Sequence, residues 1–318
     1  MHWLDYPQVV RKCEELKGAY HCFMTYFDSV KLVAVAQCID FQQRGLLGSR
    51  SNLDLANDLN SCILSQYAHY TADEVHRIGN YGIYFPTVLA EPTRYIEPQP
   101  DLRMILERLR SLGVKLFVAS NSHKEYMDLI METTFGKGWE LLFDLKCAAC
   151  AKPKFFQDRT RYFHTIDFDM PNFKFEEIRD PKLLTDKCDY LEGNAFQVHE
   201  YFQHLLGKKQ IKVAYFGDHY WSDAYHSASF QWRSLDSDIP QKWDSIAVIE
   251  ELFYEHDKLT RSQLYPAGAS PNLIDTRPFW GPSYFIKGGK RNFFVSEVAG
   301  VARYAIPFVR NLNLLMRL

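Results

Sequence analysis

One pattern occurs twice in the sequence and constrains the fold more than any other. Asp101 precedes Leu102, Ile105, Leu106, Leu109 and Leu112, an apolar stripe at helical spacing that Gly113 stops. Residues 114–119 then read as a short buried strand ending in Ser120. Further on, Val198, Tyr201, Phe202 and Leu205 repeat the stripe and Gly207 stops it. Residues 211–216 form the strand, which ends in Gly-Asp-His. A helix, a glycine, an apolar strand and polar residues at the strand's carboxyl end mark an α/β parallel sheet. Residues 143–147 and 245–249 are two further candidate strands. In open parallel sheets ligands bind beyond the carboxyl ends of the strands, so the chemistry is sought there.

The first 80 residues read as mostly helical. Leu53, Ala56, Leu59, Ile63 and Tyr67 build one apolar helix face, with Ser51 or Asn52 as its cap. Residues 30–41 fit a buried helix or a strand. The run 80–100 carries Pro86, Pro92, Pro98 and Pro100, reads as an extended connection, and is the candidate boundary between residues 1–95 and 96–318.

Composition removes several function classes. Lys plus Arg is 37 against 39 for Asp plus Glu, a net charge of −2, which argues against a broad nucleic-acid surface. No run of 18 apolar residues exists, so no membrane span is expected. The start lacks the apolar stretch of a signal peptide. Seven scattered cysteines fit reduced thiols and a cytoplasmic location. The 15% aromatic content reads as a large aromatic core.

At the strand ends stand Ser120-Asn121-Ser122, Lys152-Pro153 and Gly217-Asp218-His219, with Asp223 five residues after Asp218. Each alone has an ordinary explanation: a helix cap, a solvated loop lysine, a turn. In this order they suit a phosphate and a metal. A hydroxyl and backbone N–H groups at a helix start bind phosphoryl oxygens, and a lysine offsets their charge. A carboxylate suits Mg²⁺, which prefers hard oxygen ligands, and a second carboxylate can orient the first.

This order resembles the haloacid dehalogenase superfamily of phosphohydrolases. The blocks VASNSHKEYMDLIMETTFG (118–136), FDLKCAACAKPKFF (143–156), YLEGNAFQVHEYF (190–202), YFGDHYWSDAYHSA (215–228) and WDSIAVIEEL (243–252) narrow it to the cytosolic purine 5′-nucleotidase family. The early YFDSVKL (26–32) and NYGIYFP (80–86) resemble that family's cap. The resemblance implies a Rossmann-like core over 96–318, with a parallel sheet and a mainly helical cap over 1–95. It implies Mg²⁺-dependent hydrolysis of a nucleoside 5′-monophosphate or another phosphomonoester, without nucleic-acid or membrane partners, and leaves homo-oligomers open. Residue by residue, Ser120 and Asn121 fall on the phosphate-binding motif and Lys152 on the motif lysine, which binds phosphate and serves catalysis. Asp218 falls on a metal ligand and Asp223 on its acidic companion, a metal and catalytic position. Asp40 and Asn194 fall on substrate-binding positions. Ala36 and Gln37 stand where the family often has a basic residue before the cap aspartate.

The resemblance also requires Asp-x-Asp-x-Thr after an apolar strand, upstream of the other motifs. The first Asp attacks phosphorus and the second serves as acid and base. Asp167-Phe168-Asp169 is the only similar string. Met170-Pro171 follows it, a poor strand precedes it, and it lies after the second and third motifs. By resemblance the chain begins inside the cap, with the first-motif strand absent and Mg²⁺ binding weak or absent. The two strands flanking the absent one should each lack a partner. The other reading is a non-catalytic binding or assembly protein that keeps the fold.

Other motifs read as structural. Cys147 and Cys150 lack further zinc ligands nearby and read as packed thiols. His219 reads as a neighbour of the metal position at most. Residues 208–212, KKQIK, read as a solvated turn. In the apolar tail, Ser296 should cap a helix that Pro307 ends, and the tail should pack on the core.

Overall fold

The computed structural model describes residues 29–48, 50–66, 82–166, 174–233, 240–250, 285–286, 290–291 and 298–312. Asp167-Phe168-Asp169 and Ser296 lie outside them. The chain divides into two compact units, residues 1–67 with 250–300 and residues 68–249 with 301–318.

In the first unit α1 (Ser29–Gln43) packs on α2 (Asn52–Gln66), so the ambiguous segment 30–41 is helix. Ser51 caps α2: its Oγ accepts the Asp54 N–H at 3.1 Å, and Asp54 Oδ2 accepts the Ser51 hydroxyl at 2.6 Å. This reciprocal pairing satisfies donors that a helix start leaves open. Phe285–Ile286 pairs antiparallel with Lys290–Arg291 in the same unit.

The second unit opens with helices where the sequence reading expected an extended connection. They are α3 (Tyr84–Ala90), α4 (Pro92–Tyr95) and α5 (Pro100–Ser111). The prolines mislead as breakers. Pro92 and Pro100 sit in the first turn of their helices, where a missing N–H costs nothing and a fixed φ helps. Phe85 and Val88 of α3 pack on Tyr126 of α6 (Lys124–Phe135).

The strands of this unit form two sheets. The larger has the order β1-β2-β5-β3-β4. Its members are β1 (Phe117–Ala119), β2 (Leu145–Ala148), β3 (Phe163–Ile166), β4 (Lys174–Ile178) and β5 (Asp189–Glu192). β1, β2 and β5 run parallel, while β3 pairs antiparallel with both β5 and β4. The sheet is therefore mixed rather than parallel throughout. The segment before Asp167, read as a poor strand, is β3. Its Phe163 is wholly buried while the remaining positions are only half covered, which is why the apolar pattern is faint.

The smaller sheet contains β6 (Val213–Gly217), β7 (Gln231–Trp232), β8 (Gln241–Val248) and β9 (Tyr304–Ile306). β8 pairs in parallel with β6 on one side and β9 on the other, and β7 adds an antiparallel pair. The tail thus returns to the core, as expected, but as an unforeseen strand ahead of Pro307, with Leu312 buried beyond it. Helix α7 (Ala195–Leu206) is capped by Asn194, whose side chain accepts the Gln197 N–H at 2.9 Å, and ends at Gly207.

β1 closes one sheet and β6 closes the other, and neither has a second strand partner among the described residues. The starts of β1 and β2 are tied together by the buried Asp144, which accepts from Arg110 Nη1 at 2.9 Å, Lys115 Nζ at 3.0 Å and Leu116 N at 2.9 Å. Two core clusters lie on opposite faces: Phe117, Phe202, Tyr215 and Trp243 on one, Leu102, Leu106, Val118 and Phe216 on the other. Alternation along β1 and β6 sends successive side chains into each.

Candidate functional site

β1, β2 and β6 end on the same side of the unit, and their polar residues meet there. The loops after β1 and β2 are laced together. Cys150 N–H donates to Ser120 O at 2.9 Å, and Ala149 N–H to Ser122 O at 2.8 Å. Lys152 N–H donates to Asn121 Oδ1 at 2.6 Å, and Asn121 Nδ2 returns a bond to Lys152 O at 3.1 Å. Ser120 Oγ accepts the Ser122 N–H at 3.0 Å, the local turn expected of a Ser-Asn pair. Ala149 and Ala151 hold φ of 51° and 53°, a costly conformation for a residue with a Cβ, kept here by those bonds. The Lys152–Pro153 peptide is cis.

This lacing aims Lys152 at the end of β6. Its Nζ lies 2.7 Å from Asp223 Oδ1 and 3.2 Å from the Tyr215 hydroxyl, which donates to Asp223 Oδ1 at 2.9 Å. The His219 N–H approaches Asp223 Oδ2 at 3.3 Å. Asp223 is buried on a turn of π-helix over Tyr220–Tyr225, started by His219, whose Nδ1 accepts the Ser222 N–H at 3.0 Å. Gly217 makes this approach possible. A Cβ there would stand 2.2 Å from Asp223 Cβ, so only glycine lets the carboxylate fold back against the strand end.

Asp218, Lys152 and Asp223 line a cavity of about 1150 Å³ between β1 and β6. Asp218 stands on the cavity wall, reached by solvent yet closely surrounded by protein. Burial by the surrounding protein raises its pKa, and the Asp223 charge adds to this, against the lowering effect of Lys152. Burial likewise raises the Tyr215 hydroxyl well above the usual tyrosine value, and Asp223 adds to it, so Tyr215 remains a donor.

A metal does not fit this donor set. Asp223 already accepts from Lys152, Tyr215 and His219, which leaves Asp218 as one carboxylate facing the cavity, and Mg²⁺ needs a near-octahedral oxygen shell. No group of three potential metal ligands occurs among the described residues. What the cluster offers an anion is one ammonium set against two carboxylates. Asp218→Asn removes one opposing charge and should tighten binding of inorganic phosphate about threefold to tenfold. It should also flatten the pH dependence. In the wild type, binding at fixed phosphate charge weakens as pH rises through the raised Asp218 pKa, because the carboxylate then ionises. Calorimetric titration of both proteins at several pH values measures it.

The other sequence candidates lie elsewhere. Asn194 is wholly buried, and its Nδ2 donates to Arg161 O at 2.8 Å, so its side chain is used in capping α7 and holding the loop before β3. Asp40 is exposed on α1 and pairs with Arg44 at 3.4 Å. Cys147 and Cys150 are buried free thiols, as expected of packed cysteines. Sequence reasoning missed Tyr215. It counted only as a strand core residue, and its one distinguishing signal is a polar tip two positions before Gly217 on a strand otherwise apolar.

Among the described residues no helix is long and apolar enough to cross a membrane. Comparison with known proteins matches residues 4–269 to the 5′ nucleotidase family. The chain is 28% identical to human 5′-nucleotidase domain-containing protein 1 over 249 residues, 77% of this chain and 50% of that protein. It is 28% identical to the bovine protein of the same name over 295 residues, 89% of this chain and 58% of that one. Rat 5′-nucleotidase domain-containing protein 2 matches at 29% over 272 residues, 74% of this chain and 48% of that protein. The chain spans about half the length of these relatives. Ser120 and Asn121 stand beside the cavity's lysine without lining the cavity itself, and with the family matched over most of its length this chain belongs to the 5′ nucleotidase family.

Proposed function

We propose that this chain carries the phosphate-handling part of a 5′-nucleotidase-type phosphohydrolase site and, by itself, does not turn substrate over. The observation that carries the reading is the convergence of Lys152, from the loop after β2, with Asp218 and Asp223, from the end of β6, on one cavity at the strand ends. In this reading Lys152 faces the phosphoryl oxygens and Asp223 with Tyr215 holds the lysine in place, while the Ser120–Ser122 turn braces the lysine's loop, its Ser120 and Ser122 N–H groups being spent on Cys147 O and Ser120 Oγ. By the resemblance, residues 1–95 are the cap and Asp40 a substrate-binding position, and the substrate is a nucleoside monophosphate or similar ester. The protein acts in the cytoplasm.

The chemistry of a phosphomonoester needs a nucleophile in line with the phosphorus. Among the described residues both candidate oxygens are compromised: Asp223 is held by three donors, and Asp218 has a raised pKa and no carboxylate partner free to act as acid. Positioning and electrostatics without a nucleophile leave only a small residue of catalysis. The chain should therefore release no phosphate from purine or pyrimidine 5′-monophosphates above background, with or without millimolar Mg²⁺. Steady release that disappears in Asp218→Asn would refute the claim of inactivity and make Asp218 the nucleophile.

A further inference from the structure

The end of the second unit opposite Lys152 gathers exposed cations and exposed leucines. We propose that this face, at the amino ends of the strands, attaches the protein to an anionic lipid bilayer, with leucines entering the acyl layer and lysines at the headgroups. Such attachment needs no spanning helix. The resemblance implies no membrane partner, and the proposal departs from it there. β1 and β6 point the same way, since Lys152 and Asp223 meet beyond the strand ends. Their amino ends therefore share the opposite end, where Lys115, Lys208, Lys212 and Arg303 stand together.

Charge is the first observation. Arg110 and Lys115 are held by the buried Asp144, and Arg303 by Asp244. Arg108, Lys208, Lys212 and Lys242 are exposed and carry no ion pair among the described residues. A helix carboxyl end favours a cation, which accounts for Arg108 in the last turn of α5 and for Lys208 just beyond α7. It does not account for Lys212 and Lys242. Val213 stands beside Trp243 in the parallel register, so these two lysines lie side by side one residue earlier, at the starts of adjacent strands. Like charges on neighbouring strands repel, and a layer of negative charge over them relieves the repulsion.

The second observation is apolar. Leu112, which ends α5, is 68% exposed, and Leu205 in the last turn of α7 is 42% exposed. Leu141 is 78% exposed on the turn Trp139–Leu142 that leads into β2. Arg110 Nη1 ties this turn to α5 by donating to Leu142 O at 3.0 Å. A single exposed leucine is ordinary; three at one end, among cations, mark an interaction face. Glu140, beside Leu141, is the exposed acid of that turn. The exposure also selects the occupant. Side chains this open protrude from separate segments and do not line a groove, as a docked peptide requires. A bilayer takes protruding leucines singly, while long lysine side chains reach the headgroups. The cytoplasmic leaflet supplies the negative surface.

The test is cosedimentation of the 318-residue chain with phosphatidylcholine vesicles, with and without phosphatidylserine. At low salt the chain should pellet with the phosphatidylserine vesicles and stay in solution with phosphatidylcholine alone. Salt at about 1 M, where charges are screened within roughly 3 Å, should release it. A lysine near an anionic surface contributes about fivefold to partitioning, so Lys212→Gln with Lys242→Gln should weaken binding about twentyfold. The same variant should keep or raise the wild-type Tm, because it removes a repulsion. Leu112→Ser with Leu141→Ser should weaken binding about tenfold and keep the salt dependence. Failure to bind phosphatidylserine vesicles, equal binding to both compositions, or wild-type binding by the lysine variant overturns the proposal. So does wild-type binding by the leucine variant together with capture of a polyglutamate peptide, which makes this a face for an acidic peptide. Lys152 and Asp218 lie at the far end, so loss of phosphate binding and loss of vesicle binding are separate results.

Discussion

Lys152→Met should lower the stability of this chain by about 3 kcal/mol, the lower end of the 3–5 kcal/mol seen when one partner of a buried ion pair is removed. The cause is what remains. The Asp223 side chain is 3% exposed, and without Lys152 it keeps only the Tyr215 hydroxyl and the His219 N–H as donors. A buried carboxylate with no counter-charge pays its desolvation in full. Asp223→Asn alone should cost less, since an amide is not charged and the half-buried lysine can turn towards the cavity. The double variant, Lys152→Met with Asp223→Asn, replaces the pair by neutral groups of similar volume and should recover most of the loss. Urea unfolding of the four proteins measures the series. A Lys152→Met midpoint equal to the wild type would show that the pair contributes nothing and that Asp223 is solvated.

The second large effect concerns pH and His199. This imidazole is wholly buried in α7. Its Nδ1 accepts the Trp243 Nε1–H at 3.1 Å, so Nε2 carries the proton and donates to Gln241 Oε1 at 3.2 Å. A second proton on Nδ1 would set a donor against a donor. Burial moreover opposes the charge, and the pKa falls from 6.5 to about 4. The unfolded chain therefore binds a proton between those values that the folded chain refuses. Stability is full above the unfolded pKa and declines as pH falls towards about 4, by about 3 kcal/mol in total for a shift of this size. Burial also lowers the pKa of His226, which acts in the same direction. Asp218, with its raised pKa, acts oppositely and offsets part of the loss. His199→Gln, which keeps polar partners without titrating, should be less stable than the wild type at pH 7 but lose less on going to pH 4.5. Equal slopes for the two proteins would assign the acid sensitivity elsewhere.

The sheet was legible where apolar strands follow a stopped helix. β1, β2, β6 and β8 were all located, to within a few residues, β1 and β6 because Gly113 and Gly207 punctuate the pattern ahead of them, β2 and β8 because each carries an apolar run. The misses share a physical origin. β4 is exposed at four of its five positions and carries no apolar run, while β9 is three apolar residues in a tail read as a helix up to Pro307. Their place depends on pairing with distant segments, which a local reading does not see. The prolines of 86–100 look alike in sequence, yet two of them start helices, and only the position within the turn separates a starter from a breaker. At the site, the charged residues were legible from their order after successive apolar strands, since Lys-Pro or Gly-Asp alone has an ordinary explanation. The partners that hold them were not. Tyr215 looks like any core aromatic until Lys152 is brought to it across 63 residues of chain. Asn194 shows the converse: a polar residue within a family block, fully used in a helix cap.

The most direct test of the central claim is titration of inorganic phosphate into the wild type and the Lys152→Met, Asp223→Asn double variant, at a pH and temperature where both are folded. The double variant keeps the fold and removes the only cation that lines the carboxyl end of the cavity among the described residues. Millimolar binding to the wild type that is lost in the double variant is the result this account requires. Equal binding to the two proteins would contradict it, and would move the phosphate site away from Lys152.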